Sequence, residues 1–502
     1  MNGKYRVAKV AAAIIVVVAA MFVVLRTCQS GEEVGPPKRA ARLAAVAGMF
    51  YPGEAEELRR TVRQHLDAAE PKELGEVRAL VAPHAGYPYS GPVAAFGFKA
   101  IAGRQYKTVI IMGPSHRYPL RGASIPNVEG YETPLGTVPL SPLADALRRE
   151  KVFDDVPDAH AEEHSIEVEL PFLQVVLGEF ELVPILVGDA DAEAMATAIL
   201  KHLDDTTLII ASSDLSHYMP YDVANRFDAF TVRTMAEEDA ELIELCQACG
   251  KAPIATLLRI ARKRGWHPHV LDARNSGDTA GDKSRVVGYC SVAFTKEEEP
   301  FEPPERSSGP LDEDEQKTLL ELARASLEAA VKGEPAPAPD EDELPENLRR
   351  RGGAFVTLTK HGELRGCIGH ILPYDTLCES VIGNAAAAAL QDPRFPRVRE
   401  ADLDEIHVEV SVLTVPRCLT ASSPDELLKK LEPGKDGVYL VVGPYTSTYL
   451  PQVWEDLPDK ATFMARLSMK AGLGASAWKS SAARVFIYHA QVFEEEQGEP
   501  TE

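Results

Sequence analysis

Apolar and polar positions change rhythm in blocks along the first 300 or so residues. "VRALVAP" (77–83), "KTVIIMGPSH" (107–116), "FELVPILVGD" (180–189) and "TTLIIASSD" (206–214) are short, nearly unbroken apolar runs that end in turn residues. Such runs predict strands buried on both faces. Between them, "AEELRRTVRQHL" (55–66), "PVAAFGFKAI" (92–101) and "EHSIEVELPFLQVVL" (163–177) carry helical spacing. Strands alternating with helices predict an α/β domain around a largely buried sheet with flanking helices.

The same pattern divides the chain. Residues 43–295 hold the alternating elements. "KEEEPFEPPERSSGPLDEDEQ", 296–316, is rich in Pro, Ser and acid and has linker composition. A helical run, "KTLLELARASLEAAV", opens a second region, 317–493, expected to be a separate α+β domain. Residues 494–502 form an acidic tail, expected to be disordered, and 31–42 a short tether.

Residues 1–30 stand apart. Lys4, Arg6 and Lys9 precede an uncharged apolar run, Val10 to Leu25, which Arg26 closes. Spanning a bilayer takes about 20 apolar residues, so the run needs help from Val7, Ala8 and a snorkelling Lys9. No small-residue cleavage site directly follows it. The reading is an N-terminal transmembrane helix kept as an anchor, with a cleaved signal as the alternative. The positive flank would stay cytoplasmic, leaving the soluble domains extracytoplasmic, or periplasmic. Lys38, Arg39 and Arg42 beyond the run weigh against that orientation.

Composition narrows the function classes. With 53 basic against 76 acidic residues the net charge is −23, which disfavours nucleic acid as a partner. Seven cysteines in 502 residues make no disulfide framework. Neither a Walker loop nor a dinucleotide glycine loop stands out.

The candidate chemistry lies at strand ends. "ALVAPH", "TVIIMGPSH" and "TLIIASSDLSH" each deliver a histidine, His84, His116 and His217, within a few residues of an apolar run. Ligands of open α/β sheets bind beyond the carboxyl ends of strands, so the three can converge. Neutral imidazole is a common metal ligand. His84 and His116 would be ligands; His217 would be a third ligand or a general acid/base, with Asp214 as its orienter. His164, in "DAHAEEHSIEVELP", is a fourth histidine, and Glu163 and Glu167 beside it lie four apart. A lone loop histidine is more often a surface or capping residue; the repeated pattern is what favours a shared site. Cys246 and Cys249 form a lone C-x-x-C, open to three readings: redox pair, half a zinc site or two helical thiols. Ser115 and Ser213 lie close to histidines but lack a G-x-S-x-G context, so serine hydrolysis is a weak alternative.

"AVAGMFYPG", "APHAGYPYSGPVAA", "GPSHR", "YETPLGTV", "EHSIEVELPFLQ", "VPILVGD", "SSDLSHY" and "CGKAPI" together resemble the Memo family across the first domain. "RGGAFVTL", "LRGCIG", "LPYDTLCESVIGNAAAAALQDPRFPRV" and "LPQVWEDLPDKATFMARLSMKAGL" resemble the AMMECR1 family across the second. The resemblance implies a fold like class III extradiol dioxygenases and a functional link to a radical-SAM protein. It implies a mononuclear metal on His84, His116 and Cys249, with iron the first expectation and copper or zinc the alternatives. His217 then matches an acid/base histidine, with Asp214 beside it, and Tyr87, Tyr89 and His164 would line a substrate pocket. Core aromatics are the plain reading of the two tyrosines. Related dioxygenases use a carboxylate where Cys249 stands, and a thiolate suits metals differently. The function expected is metal-dependent redox activity, dioxygenase-like, on a small molecule. The alternative is a non-catalytic module that binds a metal or a peptide. In "LRGCIGH", Arg365, Cys367 and His370 cluster around Gly366 and Gly369, where a pocket and a structural turn are both open.

Overall fold

The structure is a computed structural model that describes residues 38–296, 309–340, 342–443, 445–480 and 482–496. From Ala41 onward the described residues form one compact unit. In chain order, the strands of its first half are β1 (Val77–Ala82), β2 (Thr108–Pro114), β3 (Ala123–Ser124), β4 (Gly130–Thr133), β5 (Gly136–Pro139), β6 (Phe153–Asp154), β7 (Glu181–Val187), β8 (Thr207–Ser212), β9 (His217–Met219), β10 (Trp266–Asn275) and β11 (Val286–Lys296). Nine of them make one sheet, ordered β10-β11-β1-β8-β2-β7-β3-β6, with β9 attached to β11. The centre is parallel: β1 pairs with β8, β8 with β2 and β2 with β7. Every residue of β1, β2 and β8 is buried. A parallel sheet covered on both faces needs such continuous apolar strands. The helix Tyr87–Ala100 packs on β1, β10 and β11, and Lys251–Arg264 packs on β2 and β8.

The second half adds β12 (Gly353–Lys360), β13 (Glu363–His370), β14 (Ile406–Leu413), β15 (Arg417–Cys418), β16 (Gly437–Val442), β17 (Tyr445–Tyr449), β18 (Ala483–Tyr488) and β19 (Ala490–Glu494). They form two four-stranded sheets, β13-β12-β14-β19 and β15-β18-β16-β17. The helix Leu377–Leu390 packs on β12 and on Glu313–Lys332. The acidic end of the linker-like stretch starts that second helix, because Asp312 and Glu315 close a capping box at its first turn.

The halves touch directly rather than standing as separate bodies. Arg226 on the helix Tyr221–Ala236 pairs with Asp375, and Arg233 donates to the Pro373 carbonyl at 2.6 Å. The Tyr374 ring sits 4.7 Å from Phe227 and 5.2 Å from Phe230. Leu372, Val441 and Phe486 join the apolar core of the first half.

The expected N-terminal transmembrane helix, and the extracytoplasmic placement built on it, are corrected. Among the described residues no helix is long and apolar enough to cross a membrane. The longest, Glu313–Lys332, has 20 residues but carries charge throughout, and the apolar Leu377–Leu390 has only 14. The run Val10 to Leu25 itself lies outside the described residues.

Candidate metal centre

Three adjacent strand ends build the site. β8 lies between β1 and β2. His84 follows β1, His116 follows β2, and Ser213 and Asp214 continue from β8. The amide of Ser213 donates to the Ala82 carbonyl at 2.8 Å, which holds the ends of β1 and β8 together. Asp214 accepts from the His84 amide at 2.9 Å, which fixes the turn that carries the imidazole. Burial pushes the Asp214 carboxyl up to about 7, against the backbone hydrogen bonds it takes from His84 and Ala85.

His164 completes a cluster. One ring nitrogen each of His84, His116 and His164 lies within 4.8 Å of the others. Ring centroids are 5.2 Å apart for His84 and His116, 5.5 Å for His84 and His164, and 4.8 Å for His116 and His164. The segment bearing His164 is tied down from far along the chain. Arg42 donates to the carbonyls of His160 and Glu163 and pairs with the fully buried Glu167. Glu167 also accepts from the amides of Ala45 and Val46 and from the Tyr51 hydroxyl.

The electrostatics favour a cation. Burial pushes the His84 imidazole well below its ordinary range, helped by His116 and His164. Burial also lowers His164, to about 4. Both rings are therefore neutral, with lone pairs to offer. His84 places Nδ1 2.8 Å from the Ser212 hydroxyl, and His116 places Nδ1 3.0 Å from Glu163 Oε1. Each thus has Nδ1 engaged by a neighbour, and His84 turns Nε2 toward Cys249; a second partner that fixes a ring nitrogen is typical of metal-bound imidazoles. Burial raises the Glu163 carboxyl, but the hydrogen bonds and nearby charge of His116 and the Ser165 amide together outweigh that and hold it below the usual carboxylate range. His164 Nδ1 is buried without a hydrogen-bond partner; it lies 3.3 Å from Glu163 Oε1, outside hydrogen-bond geometry. An orphaned buried nitrogen among two other imidazoles fits a site that takes an ion.

Cys249 approaches one member of the cluster, His84. Its Sγ is 3.4 Å from His84 Nε2 and accepts from the Asp214 amide at 3.3 Å. The chain after Cys249 runs hard against β8: a Cβ on Gly250 would lie 2.6 Å from the Ser212 carbonyl oxygen. Only glycine lets the thiol approach this closely. Burial pushes the thiol up to about 12, with the nearby Asp214 adding to the rise. Cys246 is buried elsewhere, its Sγ 3.5 Å from the Leu242 carbonyl, and both thiols are free.

The other residues singled out in the sequence divide. His217 lies on β9 and is exposed, close enough to His84 to disfavour its protonation. Tyr87 is buried, donates its hydroxyl to the Val168 carbonyl at 2.9 Å and packs on Phe172. Tyr89 is about half exposed at 49%. Sequence reasoning missed Ser212 and the separate duties of Glu163 and Glu167. The helical spacing of those two glutamates placed them on one face, whereas one orients His116 and the other anchors Arg42.

Residues 42–293 match the Memo-like protein family, and residues 320–493 match AMMECR1. A MEMO1 family protein of Methanopyrus kandleri is 40% identical over 281 residues, covering 51% of this chain and 99% of the relative. The chain belongs to the Memo-like family. A second MEMO1 family protein, from Thermotoga sp., is 38% identical over 275 residues, covering 50% of this chain and 98% of the relative. A crystal structure of an uncharacterised protein from Pyrococcus horikoshii shares 35% identity at a TM-score of 0.35, over 37% of this chain and 94% of that one. The Memo match and the cluster of His84, His116 and His164 together fit a metal-binding Memo domain.

Proposed function

We propose that the Memo half holds one metal ion on His84, His116 and Cys249, with His164 beside them, and uses it for redox chemistry of the dioxygenase type on a small molecule. The observation that carries this reading is the 3.4 Å approach of Cys249 Sγ to Nε2 of His84, itself a member of the three-histidine cluster. A thiol raised to about 12 stays protonated until a cation displaces the proton, so ion entry should release one. Mixed imidazole and thiolate donors suit iron, copper or zinc better than magnesium or calcium, and iron is the metal we favour. Such an ion, when bound, would supply Lewis acidity and, for iron or copper, one-electron chemistry. The chain's own residues do the rest. Glu163 orients His116, Asp214 orients the His84 turn, and His217 at the exposed rim holds or moves a proton at its imidazole.

The test is metal content of the full chain against a His84→Ala/His116→Ala double variant. Stoichiometric metal in the parent and none in the variant is the expected result; equal content in both would overturn the reading. Oxygen uptake with catechols, after iron is restored, separates the redox reading from a binding module that never turns over.

A further inference from the structure

Ser212 sits behind the site, and its hydrogen bonds can be counted. Its hydroxyl oxygen has three partners: the Ser165 carbonyl at 2.7 Å, Glu169 Oε1 at 2.7 Å and His84 Nδ1 at 2.8 Å. A serine hydroxyl has one proton to give and two lone pairs to receive. The Ser165 carbonyl can only accept, so it takes the Ser212 proton. The other two partners must then both donate. We infer that Ser212 and Glu169 form a relay behind His84 in which Glu169 is held as a neutral acid, donating to Ser212, and His84 is held as its Nδ1–H tautomer.

The surroundings agree with this count. Glu169 is 1% exposed and Ser212 is fully buried. Among the described residues Ser212 is the only side-chain hydrogen-bond partner of Glu169. Among the described residues no cation compensates the carboxyl, and the Asp214 carboxyl adds a like charge nearby. Burial pushes Glu169 up to about 8, although the Ser212 bond works the other way. The alternative count, with Glu169 ionised and taking the Ser212 proton, leaves two acceptor oxygens facing each other at 2.7 Å across the Ser165 contact. The consequence reaches the cluster. With its proton on Nδ1, His84 keeps the Nε2 lone pair directed at Cys249, 3.4 Å away. Glu169 and Ser212 are positioning residues, since both act through His84.

The proton count concerns the metal-free chain, while its effect on metal binding rests on the reading of His84 as a ligand. Two measurements keep these apart. In the metal-free full chain at pH 7, the infrared spectrum should show a protonated carboxyl band that disappears in Glu169→Gln. Nitrogen NMR should find His84 protonated at Nδ1. Absence of such a band, or a proton on Nε2 instead, overturns the relay whatever the metal does. With zinc as a redox-silent probe, Ser212→Ala should bind about 10- to 100-fold more weakly. Glu169→Gln, whose amide still donates to Ser212, should stay within about threefold of the parent. If zinc affinity falls equally in both variants, Glu169 acts by charge and the neutral relay is wrong. If the spectra hold but His84→Ala also leaves zinc affinity unchanged, the relay stands and the ligand reading fails.

Discussion

Two regions of this chain carry a cysteine, a histidine and a glycine close together, and they differ in what the fold leaves available. At the ends of β1, β2 and β8, three imidazoles gather, His164 Nδ1 is left without a hydrogen-bond partner, and Cys249 Sγ lies 3.4 Å from His84 Nε2. In the AMMECR1 half, around "LRGCIGH", the fold uses nearly everything. His370 lies 3.2 Å from the Ser380 hydroxyl through Nε2 and 3.4 Å from Asn384 through Nδ1. Cys367 accepts from the Thr357 hydroxyl at 3.5 Å, and its amide donates to Asp392 at 2.9 Å. Arg365 donates to the carbonyls of Pro396 and Arg397. The residue types are alike. What differs is whether donor atoms remain after backbone and neighbours have been satisfied, and a metal can only use those that remain.

The strongest way to break this comparison is to remove one side chain from each region. Cys249→Ala should weaken zinc binding by about a thousandfold, about 4 kcal/mol. His370→Ala and Cys367→Ala should leave it within about twofold. Competition titration with a metal chelator measures all three. A large loss in His370→Ala would mean that the second half supplies a ligand, and the contrast would collapse.

How much of this was legible beforehand differs residue by residue. The strands were, because an apolar run such as Thr108–Pro114, buried at every position, has no other stable place than a covered sheet. His84 and His116 were legible for the same reason: each directly follows such a run. His217 was read as the product of a third strand end, but β8 ends at Ser212 and His217 lies on β9, paired with β11 instead. His164 carried no periodic signal of its own role. Its position depends on the tie between Arg42 and Glu167, which lie 125 residues apart and can be found only by folding the chain. Cys249 could not be assigned by spacing, because a C-x-x-C looks the same whether one thiol or two are used. The family motif singled out its second cysteine, and the placement of Gly250 against Ser212 gives the physical reason.

That long-range tie yields the next test. Glu167→Ala leaves the buried Arg42 guanidinium without its carboxylate and removes the acceptor for two amides and the Tyr51 hydroxyl. The expected cost is about 3 kcal/mol of stability, seen as a lower melting temperature, together with weaker zinc binding because the His164 segment loosens. Unchanged zinc affinity in the folded variant would show that His164 is held by local structure alone.

The matching change in the second half is Gly366→Ala. A Cβ there would lie 2.3 Å from the Ala388 carbonyl oxygen of the helix Leu377–Leu390. Backbone against backbone cannot rotate away, so the strand or the helix must shift, at about 2 kcal/mol. Thermal unfolding should show the loss while zinc affinity holds. Such a result would assign the glycines of "LRGCIG" to packing and sharpen the contrast with Gly250, where the same substitution should impair both.

The smallest effect concerns a carboxyl outside the cluster. Asp228 accepts from the amide of Ser216 at 2.9 Å and from its hydroxyl at 3.0 Å. Burial nevertheless pushes its carboxyl up from 3.8 to about 6. The native state therefore holds a proton that the unfolded chain releases lower down. This stabilisation is therefore complete below about pH 4, falls as pH rises toward 6, and is gone above it. The residue is only partly buried, and with solvent screening the contribution is on the order of 1 kcal/mol. Asp228→Asn cannot titrate, so it should flatten that part of the profile. Its melting temperature relative to the parent should rise between pH 4 and pH 6 and stay level above. No change in the difference curve over that window would mean that the Ser216 bonds hold the carboxylate charged, and that a partner in hand matters more here than removal from water.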